Sequence, residues 1–236
     1  MDFTPLDNPA WHALKSRQAY FAVGDGTVLR YLADVSPFAA LETPAAMPEL
    51  GRRMAEGEVA VLWSPEDLEP PPGVDLLIRF PCLQMAAADF RPAEAEEAPA
   101  LGPADVPEMI DLAVLTKPGP FYGRTIEMGD FVGLREHGRL AAMAGERMKP
   151  SGFTEISAIC VHPDFQGRGH ARRLTSIVSR RAVAAGFTPF LNVLPDNAAA
   201  ISLYESLGFR PRRLMQVHVL RKPGGQPVDD PFFSSL

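Results

Sequence analysis

Two glycines, Gly167 and Gly169, separate an apolar strand pattern from a helical pattern. Glycine lets the backbone adopt positive φ and approach a ligand closely, so several successive N–H groups can point at one spot. The first turn of the following helix adds unpaired N–H donors and the positive end of the helix dipole, which together favour phosphate. Three cations, Arg168, Arg172 and Arg173, lie in the loop or on that first turn. The spacing therefore predicts a binding site for a phosphate or pyrophosphate group.

The kind of anion can be narrowed by elimination. A dinucleotide fold needs Gly-x-Gly-x-x-Gly and an acidic residue about 20 residues later. Here Arg172 takes the third glycine position, and no acidic residue follows before Asp196. A P-loop needs Lys and then Ser or Thr after its last glycine, and both are missing. What remains is Gln-Gly-Arg-Gly-His-Ala at 166–171, which resembles the acyl-CoA pyrophosphate loop of the GNAT superfamily of N-acetyltransferases.

The elements around this loop also resemble that superfamily, over roughly residues 101–222. After the loop come an amphipathic helix, a short strand at 189–194, a second helix opened by Asn197, and Leu-Tyr-Glu-Ser-Leu-Gly-Phe at 203–209. In the superfamily the second helix carries an Asn near its start and a Tyr near its end, and Asn197 and Tyr204 have that spacing. The resemblance implies an α/β, GNAT-type fold with a mixed, mostly antiparallel central sheet and flanking helices.

The resemblance implies the cofactor as well, acetyl-CoA or another short acyl-CoA. Its pyrophosphate is expected on the glycine loop. The edge of the preceding strand after Ile159 can offer an N–H group to the thioester carbonyl oxygen. Asn197 has an ordinary role as N-cap and an implied second role on the pantetheine arm. The cofactor-binding residues predicted in this way are Ile159, Cys160, Val161, Gln166, Gly167, Arg168, Gly169, His170, Ala171, Arg172 and Asn197.

Acyl transfer to an amine needs a base, because a typical alkylamine has a pKa of about 10 and must lose a proton before it attacks. Glu155 is the candidate base, since its spacing from Gln166 resembles that of the glutamate base in histone-type members of the superfamily. A solvated glutamate at a strand end is the alternative. Tyr204 is the candidate acid, because the resemblance places its phenol beside the thioester sulfur. The alternative is an aromatic side chain on the buried face of its helix.

Two further residues are candidates for contact with the acceptor. Phe121 ends the segment Pro-Gly-Pro-Phe, which lies where the superfamily builds its acceptor-binding wall, and a rigid turn explains this segment equally well. Asn192 lies on the strand opposite the loop strand. The cysteines have no metal-ligand spacing, and no metal site is predicted.

The chain has 236 residues, 46% of them hydrophobic, enough for one large or two small domains. It has no apolar run of about 18 residues and no signal-peptide pattern, so we expect a cytoplasmic protein without a membrane partner. A net charge of -6 argues against a general nucleic-acid binder. Residues 147–222 nevertheless hold 12 Lys and Arg against 4 Asp and Glu, which would attract a polyphosphate ligand. Cys82 and Cys160 are too few for a disulfide framework and are expected to be buried.

The first half of the chain carries no motif that can be assigned. Its patterns predict a helix capped by Asn8, a hairpin turning at 24–26, a helix at 48–56, and strands at 58–63 and 74–80. The order of strands and helices is similar to that of the second half. A degenerate GNAT-like unit without the glycine loop is therefore one alternative for this smaller, divergent α/β half.

Residues 91–103 combine Pro, Ala and Glu with almost nothing to bury, so they are expected to form a linker. The boundary is placed near residue 98. We therefore expect an N-terminal α/β domain of unknown role at 1–98 and an acyl-CoA-binding catalytic domain at 99–236.

The second half has several local signals of its own. Asp105 and Glu108 resemble a capping box at a helix start. Residues 137–138 join two apolar-rich runs as a β-hairpin, and the helix after the glycine loop should stop at Gly186. The tail from Pro223 is expected to be loosely ordered or to dock on a partner subunit, which leaves a homodimer open.

These observations favour an N-acetyltransferase that transfers an acetyl or short acyl group from acyl-CoA to an amine by direct attack in a ternary complex. The segments at 121–134, 143–147 and 153–163 resemble most closely the glycine-N-acyltransferase-like branch, which implies a small amine or amino acid as acceptor. Two alternatives remain. One is a non-catalytic acyl-CoA sensor or interaction module, and the other is a protein N-acetyltransferase.

Overall fold

The computed structural model describes residues 1–225 and 230–233. Within those ranges the chain forms five α-helices and ten β-strands. The helices are α1 (Pro9–Leu14), α2 (Met47–Arg53), α3 (Val106–Thr116), α4 (His170–Ala184) and α5 (Ala198–Ser206). The strands are β1 (Ala22–Asp25), β2 (Val28–Tyr31), β3 (Ala39–Leu41), β4 (Val59–Ser64), β5 (Asp75–Ala86), β6 (Phe131–Glu136), β7 (Arg139–Glu146), β8 (Phe153–Val161), β9 (Thr188–Val193) and β10 (Arg210–Arg221).

Seven of the strands form one sheet in the order β4-β10-β5-β9-β8-β7-β6. Each neighbouring pair is antiparallel except β8 and β9, which are parallel. Helices α3 and α4 cover opposite faces of β7 and β8. Successive side chains of a strand point to opposite faces, so neighbouring residues of β7 pack under different helices. On β7, Met143 belongs to the cluster under α3, whereas Ala142 and Ala144 belong to the cluster under α4. The predicted mixed, mostly antiparallel sheet with flanking helices is confirmed.

The first half of the chain enters this sheet. β4 and β5 come from the first half, and they pair with the two sides of β10 from the second half. β1, β2 and β3 form a separate three-stranded sheet. One core cluster contains Trp11 and Phe38 from the first half together with Phe153 and Phe190 from the second. The halves therefore share a sheet and a core, and the division near residue 98 stays a prediction about folding units.

The segment expected to be a linker is irregular, but it is attached along α4. The N–H of Ala93 donates to Ser176 Oγ over 2.9 Å, and Glu97 forms ion pairs with Arg180 and Arg181. Ala98 is buried. The segment expected to be a linker is therefore ordered by partners distant in sequence.

Local signals at element ends were confirmed in part. The hairpin between β6 and β7 turns at His137 and Gly138, both with positive φ, of 51° and 80°. The prediction of a capping box at Asp105 and Glu108 is wrong. Asp105 Oδ2 accepts from the N–H of Gly102 over 2.8 Å, one turn earlier, and Glu108 pairs with Arg135.

The helix start at Asn8 is correctly placed, but its side chain does not cap the helix. Asn8 Nδ2 instead donates to the carbonyl of Leu41 over 2.7 Å. Part of the tail predicted from Pro223 falls on 226–229 and 234–236, which lie outside the described residues. Residues 230–233 pack on the body of the protein, where Tyr122 donates to Asp230.

Candidate functional site

A bulge in β8 shapes the centre of the molecule. Cys160 pairs with Met143 and Ser157 pairs with Gly145, so Ala158 and Ile159 lie opposite a single residue of β7. Ala158 takes a φ of 49°, which costs a non-glycine residue about 1 kcal/mol. The parallel ladder between β8 and β9 ends at the pair formed by Glu155 and Phe190. Beyond this pair, no described strand is hydrogen-bonded to the edge of β8 that faces β9. The two strands diverge there, and a cavity lies between them.

The glycine loop has the conformation that the sequence predicts. Gly167 and Gly169 have φ values of 75° and 78°, and Gly169 occupies the N-cap position of α4. A Cβ at either glycine would meet nothing within 4 Å, so the glycines are needed for conformation and not for space. Among the described residues, no carbonyl or side chain accepts from the backbone N–H groups of 167–172. The loop therefore presents a row of free donors at the start of a 15-residue helix.

Glu136 is a residue at this loop that sequence reasoning missed. It ends β6 and accepts from Arg168, and one of its oxygens lies 2.6 Å from His170 Nε2. Arg172 is exposed and forms no ion pair with the described residues. Glu136 thus holds two predicted cofactor residues in place, while Arg172 remains available to an anion. The contact spans more than thirty positions of sequence, so no local pattern could reveal it.

A cavity of about 500 Å³ opens where β8 and β9 diverge. Five predicted site residues line it: Glu155, Ile159, Asn192, Asn197 and Tyr204. The glycine loop, Cys160 and Val161 do not line this cavity. The structure therefore brings the predicted catalytic pair together and leaves the anion-binding loop outside the chamber.

Phe121 does not reach the cavity. Its ring is 1% exposed and packs edge-on against Phe131, with ring centroids 5.4 Å apart. The residues just before it, 118–120, line the cavity instead. The segment thus lies at the cavity, but the ring that was predicted to touch the acceptor belongs to the core under α3.

Glu155 is 1% exposed, and donors surround its carboxylate. Oε1 accepts from Arg147 Nη2 over 2.8 Å and from Asn192 Nδ2 over 2.9 Å. Oε2 accepts from Arg147 Nε over 2.9 Å and from the N–H of Met148 over 3.2 Å. These contacts occupy all four lone-pair positions of a carboxylate. The alternative of a solvated glutamate at a strand end is therefore wrong.

Arg147 is the second important residue that sequence reasoning missed. Its side chain is 9% exposed, and its guanidinium lies over the ring of Phe38 at 4.8 Å. Nε and Nη2 bind Glu155, whereas Nη1 has no hydrogen-bond partner among the described residues and Arg147 lines the cavity. Gln18 Nε2 fixes the backbone by donating to the Arg147 carbonyl over 2.7 Å. Glu155 thus neutralises the charge of the Arg147 guanidinium, and Nη1 is left free to face a ligand.

Tyr204 on α5 and Asn197 at the N-cap of α5 both line the cavity. Burial raises the pKa of the Tyr204 phenol to about 12, so the group stays protonated at neutral pH. Asn197 Oδ1 accepts from the N–H of Ala200 over 3.1 Å, which confirms its role as N-cap. Asn192 lines the cavity from β9, and its Oδ1 is buried without a described partner.

The first half of the chain completes the cavity with apolar side chains. Trp63 on β4 pairs with Val217 on β10, which pairs with Phe80 on β5. Two residues along, the next row on the same face consists of Val61, Val219 and Ile78. All six line the cavity, together with Phe38 and the residues 231–233. No motif in the first half pointed to this role.

The described residues contain no helix long and apolar enough to cross a membrane. In the same part of the chain, no group of three or more His, Cys, Asp and Glu side chains could hold a metal ion.

Residues 131–218 match the family model for FR47-like proteins. A solved structure of a putative acetyltransferase from the GNAT family of Novosphingobium aromaticivorans is 41% identical, with a TM-score of 0.87 over 93% of this chain and 99% of that one. N-alpha-acetyltransferase RimI of Mycobacterium tuberculosis is 36% identical over 110 residues, which are 41% of this chain and 68% of that protein. The [ribosomal protein bS18]-alanine N-acetyltransferase of Salmonella typhimurium is 38% identical over 78 residues, 30% of this chain and 53% of that protein.

Proposed function

The chain belongs to the GNAT superfamily of N-acetyltransferases, and from this premise we propose that it acetylates the amine of a small molecule or amino acid by direct attack in a ternary complex. The observation that carries the proposal is the cavity between β8 and β9, lined by Glu155, Asn192 and Tyr204. GNAT acetyltransferases generally use acetyl-CoA, which supplies the thioester whose acetyl group is transferred. We take acetyl-CoA, or another short acyl-CoA, as the donor.

The free donors of the glycine loop fit the pyrophosphate of this donor. The N–H groups of 167–172 would hold it, and the exposed Arg172 would add a positive charge. The free edge of β8 beyond Glu155 offers an N–H group at Ile159 to the thioester carbonyl oxygen, whose negative charge grows during attack. The Asn197 side chain caps α5 beside the cavity, where it can also reach the pantetheine arm.

Glu155 stays the proposed base, but one of its present hydrogen-bond donors must first move away. Its four lone-pair positions are taken, so an amine proton can reach it only when one donor moves away. The contact from Asn192 Nδ2 is the one made by a side chain without a charge. We propose that Asn192 Nδ2 withdraws as the amine enters, and that the amine then passes its proton to Glu155 Oε1.

Tyr204 is the proposed acid. Its raised pKa keeps the phenol protonated, so that it can give its proton to the sulfur as the C–S bond breaks, and the phenolate then regains a proton from solvent. The alternative, an aromatic that only packs, is compatible with its contact to Phe209, where the ring centroids are 6.0 Å apart.

A protein acceptor is the second candidate, because two relatives have names that refer to N-alpha and ribosomal-protein alanine acetylation. Those relatives match only part of this chain, and the strands β4 and β5 that wall the cavity lie outside the matched family model. This additional wall favours a small amine. Membership of the glycine-N-acyltransferase-like branch, a homodimer and a cytoplasmic location stay predictions.

The test is isothermal titration of the protein with acetyl-CoA, CoA and a longer acyl-CoA, followed by a thiol-release assay with small amines and with an alanine-terminated peptide. We expect acetyl-CoA to bind and free thiol to appear with small amines. Binding without thiol release from any acceptor would favour the sensor alternative. Faster release with the peptide would favour a protein acceptor, and absence of binding would contradict the proposal.

A further inference from the structure

We infer that the acceptor is an α-amino acid with an apolar side chain, and that Arg147 Nη1 and Ser157 Oγ bind its carboxylate. The inference rests on the proposed function, since it names the class of amine that the same cavity accepts. Both residues decide which amine is accepted, and neither exchanges a proton with it.

Arg147 Nη1 and Ser157 Oγ are polar atoms that a ligand can reach. Both residues line the cavity, and neither atom has a hydrogen-bond partner among the described residues. The unpaired side-chain atoms without accessible surface include Trp63 Nε1 and Asn192 Oδ1, but not these two. Although Arg147 and Ser157 are only 8% and 9% exposed, the two atoms therefore keep accessible surface. They can donate to an oxygen that enters the cavity.

The two donors lie on the same face of the sheet and at the same wall. Glu155 and Ser157 alternate along β8, so their side chains point to one face, and Arg147 binds Glu155 there. Arg147, Ser157 and Gly119 also line a small cleft beside the cavity. A Cβ at Gly119 would stand 3.3 Å from Arg147 Nη1, so the glycine leaves space beside this nitrogen. The donors thus meet at the wall formed by residues 118–120.

The position of these donors relative to the proposed base fits an α-amino acid. Arg147 Nη2 lies 2.8 Å from Glu155 Oε1, and Nη1 is the other terminal nitrogen of the same planar guanidinium. A ligand oxygen on Nη1 is therefore adjacent to an amine on Oε1. An α-amino acid carries its amine and its carboxylate on one carbon, so it can fill both positions at once. An amine without a carboxylate forgoes the charge-assisted hydrogen bonds.

The charge of the cavity favours the same class of acceptor. Among the described residues that line it, only Lys117, Arg147 and Glu155 are charged. Arg147 and Glu155 neutralise each other, whereas Lys117 is exposed and forms no ion pair with the described residues. The attacking form of an amino acid, with a neutral amine and a carboxylate, has one negative charge that complements this lysine. The attacking form of a simple alkylamine has none.

The surface next to the two donors is apolar. Phe38 lies against the Arg147 guanidinium at 4.8 Å and packs edge-on against Trp63 at 6.1 Å. None of the lining residues on β4, β5 and β10 is charged. A charged side chain on the amino acid would lose its hydration here without compensation, so an aliphatic or aromatic side chain fits. The amino terminus of a peptide fits less well, because the carbonyl group beside its amine carries no charge.

The experiment compares three acceptors that differ only in the group beside the amine. They are L-leucine, L-leucinamide and isoamylamine, which is leucine without its carboxylate. Leucinamide represents the amino terminus of a peptide. Thiol release from acetyl-CoA gives kcat/KM for each, expressed per concentration of neutral amine at the assay pH. For the wild type we expect leucine to exceed both other acceptors by about tenfold or more, since they lack hydrogen bonds to a charged group.

Two variants test the two donors. Ser157→Ala removes the hydroxyl, and Arg147→Lys keeps a cation beside Glu155 but loses the second arm of the guanidinium fork. We expect each to lower the ratio of kcat/KM for leucine to that for isoamylamine by about tenfold, because only leucine has a carboxylate to lose. A change in stability or in proton transfer affects both substrates and cancels in this ratio.

The matched control is Thr116→Val. Thr116 also lines the cavity, but its hydroxyl already donates to the carbonyl of Leu112 over 2.7 Å. Removing this hydroxyl should leave the leucine to isoamylamine ratio within about twofold of the wild type, because no bond to the carboxylate is lost. Melting temperatures of all variants, measured in parallel, show whether each is folded.

A binding measurement makes the result independent of turnover. Isocaproate is leucine without its amine, so it can occupy the carboxylate subsite and cannot be acetylated. Titration calorimetry with CoA present should show that isocaproate binds the wild type and binds Ser157→Ala about tenfold more weakly. Isocaproamide, the uncharged amide, should bind the wild type much more weakly than isocaproate does.

An unchanged leucine to isoamylamine ratio in either variant would overturn the role of that residue. A higher kcat/KM for leucinamide or isoamylamine than for leucine would overturn the acceptor class, while leaving acetyl transfer itself intact. If no acceptor releases thiol, the proposed function fails. Isocaproate binding that depends on Ser157 would still support the carboxylate subsite, and equal binding to the wild type and Ser157→Ala would contradict it.

Discussion

Arg147 binds the carboxylate of Glu155 through two hydrogen bonds, 2.9 Å and 2.8 Å long, inside the cavity that holds the proposed chemistry. Both side chains are nearly fully buried, with 9% and 1% exposed. Breaking one side of a buried pair leaves an uncompensated charge, which costs several kcal/mol. The pair therefore makes Glu155 both a proposed base and a structural anchor, and these two roles need separate measurements.

For Glu155→Gln we expect a lower kcat at neutral pH, an unchanged Kd for acetyl-CoA, and a loss of about 3 kcal/mol in the free energy of unfolding. A missing base matters least at high pH, where more of the amine is already neutral. The loss in kcat should consequently shrink as the assay pH approaches 10. The measurements are kcat against pH and urea unfolding.

The matched control is the double variant Arg147→Gln with Glu155→Gln, which removes both charges. Its stability should exceed that of Glu155→Gln alone, because no buried charge lacks a partner. A kcat loss of the same size at every pH would limit Glu155 to holding Arg147 in place.

For Tyr204→Phe we expect kcat to fall by about 100-fold or more, the usual range for loss of a general acid. Stability should change by less than about 1 kcal/mol, because the hydroxyl makes no hydrogen bond with the described residues. Since burial raises the pKa of Tyr204 to about 12, its ionisation should not limit kcat up to pH 10. The control is Tyr31→Phe, which loses the buried bond to Gln18 and should cost stability without lowering kcat.

For Gly169→Asp we expect acetyl-CoA binding to weaken by at least about 100-fold, because a carboxylate would stand among the free N–H donors. Gly169→Ala is the control. It meets the same positive φ, costing about 1 kcal/mol, and adds no charge or steric contact. Titration calorimetry on both variants separates the effects. Equal weakening by Ala and Asp would mean that backbone conformation alone governs binding.

The sequence could predict the parts of the site whose signals are local. The strand, glycine loop and helix lie in one continuous segment, and so do the cap at Asn197 and the phenol at Tyr204. The helix start signal at Asp105 was less informative. The Asp105 carboxylate does accept a hydrogen bond from a backbone N–H group, but the donor is Gly102, which precedes the helix.

The missed residues act across long sequence separations. Glu136 reaches the glycine loop from the end of β6, and Trp63 reaches the cavity because β4 pairs with β10. Arg147 was visible only as one of several basic residues in the second half. Strand pairing decides such contacts, and a single sequence shows the pattern of each strand but not its neighbour.

Stability should also depend on pH through His218. This side chain is fully buried on β10, its Nε2 accepts from the N–H of Leu68 over 3.0 Å, and burial with the nearby Arg79 lowers its pKa below the ordinary 6.5. Below about pH 6.5 the unfolded chain binds a proton that the folded chain does not, so stability falls with falling pH by up to about 1.4 kcal/mol per unit. At higher pH this loss is absent.

The check is His218→Gln, whose side-chain oxygen can still accept from Leu68. We expect the difference in melting temperature between pH 7.5 and pH 5.5 to be smaller in this variant than in the wild type. His12→Gln is the comparison, because His12 is only partly buried and its pKa is also lowered by burial. An unchanged difference in His218→Gln would show that this histidine does not control the loss of stability at low pH.

The position of β10 between β4 and β5 has a consequence for synthesis on the ribosome. About 120 residues separate the end of β5 from the start of β10, so at the usual elongation rate the last strand emerges roughly ten seconds after its two neighbours. Until then the facing edges of β4 and β5 are unpaired, and the apolar side chains of these strands that line the cavity are exposed to other nascent chains. This wall of the cavity therefore forms only after β10 has been synthesised.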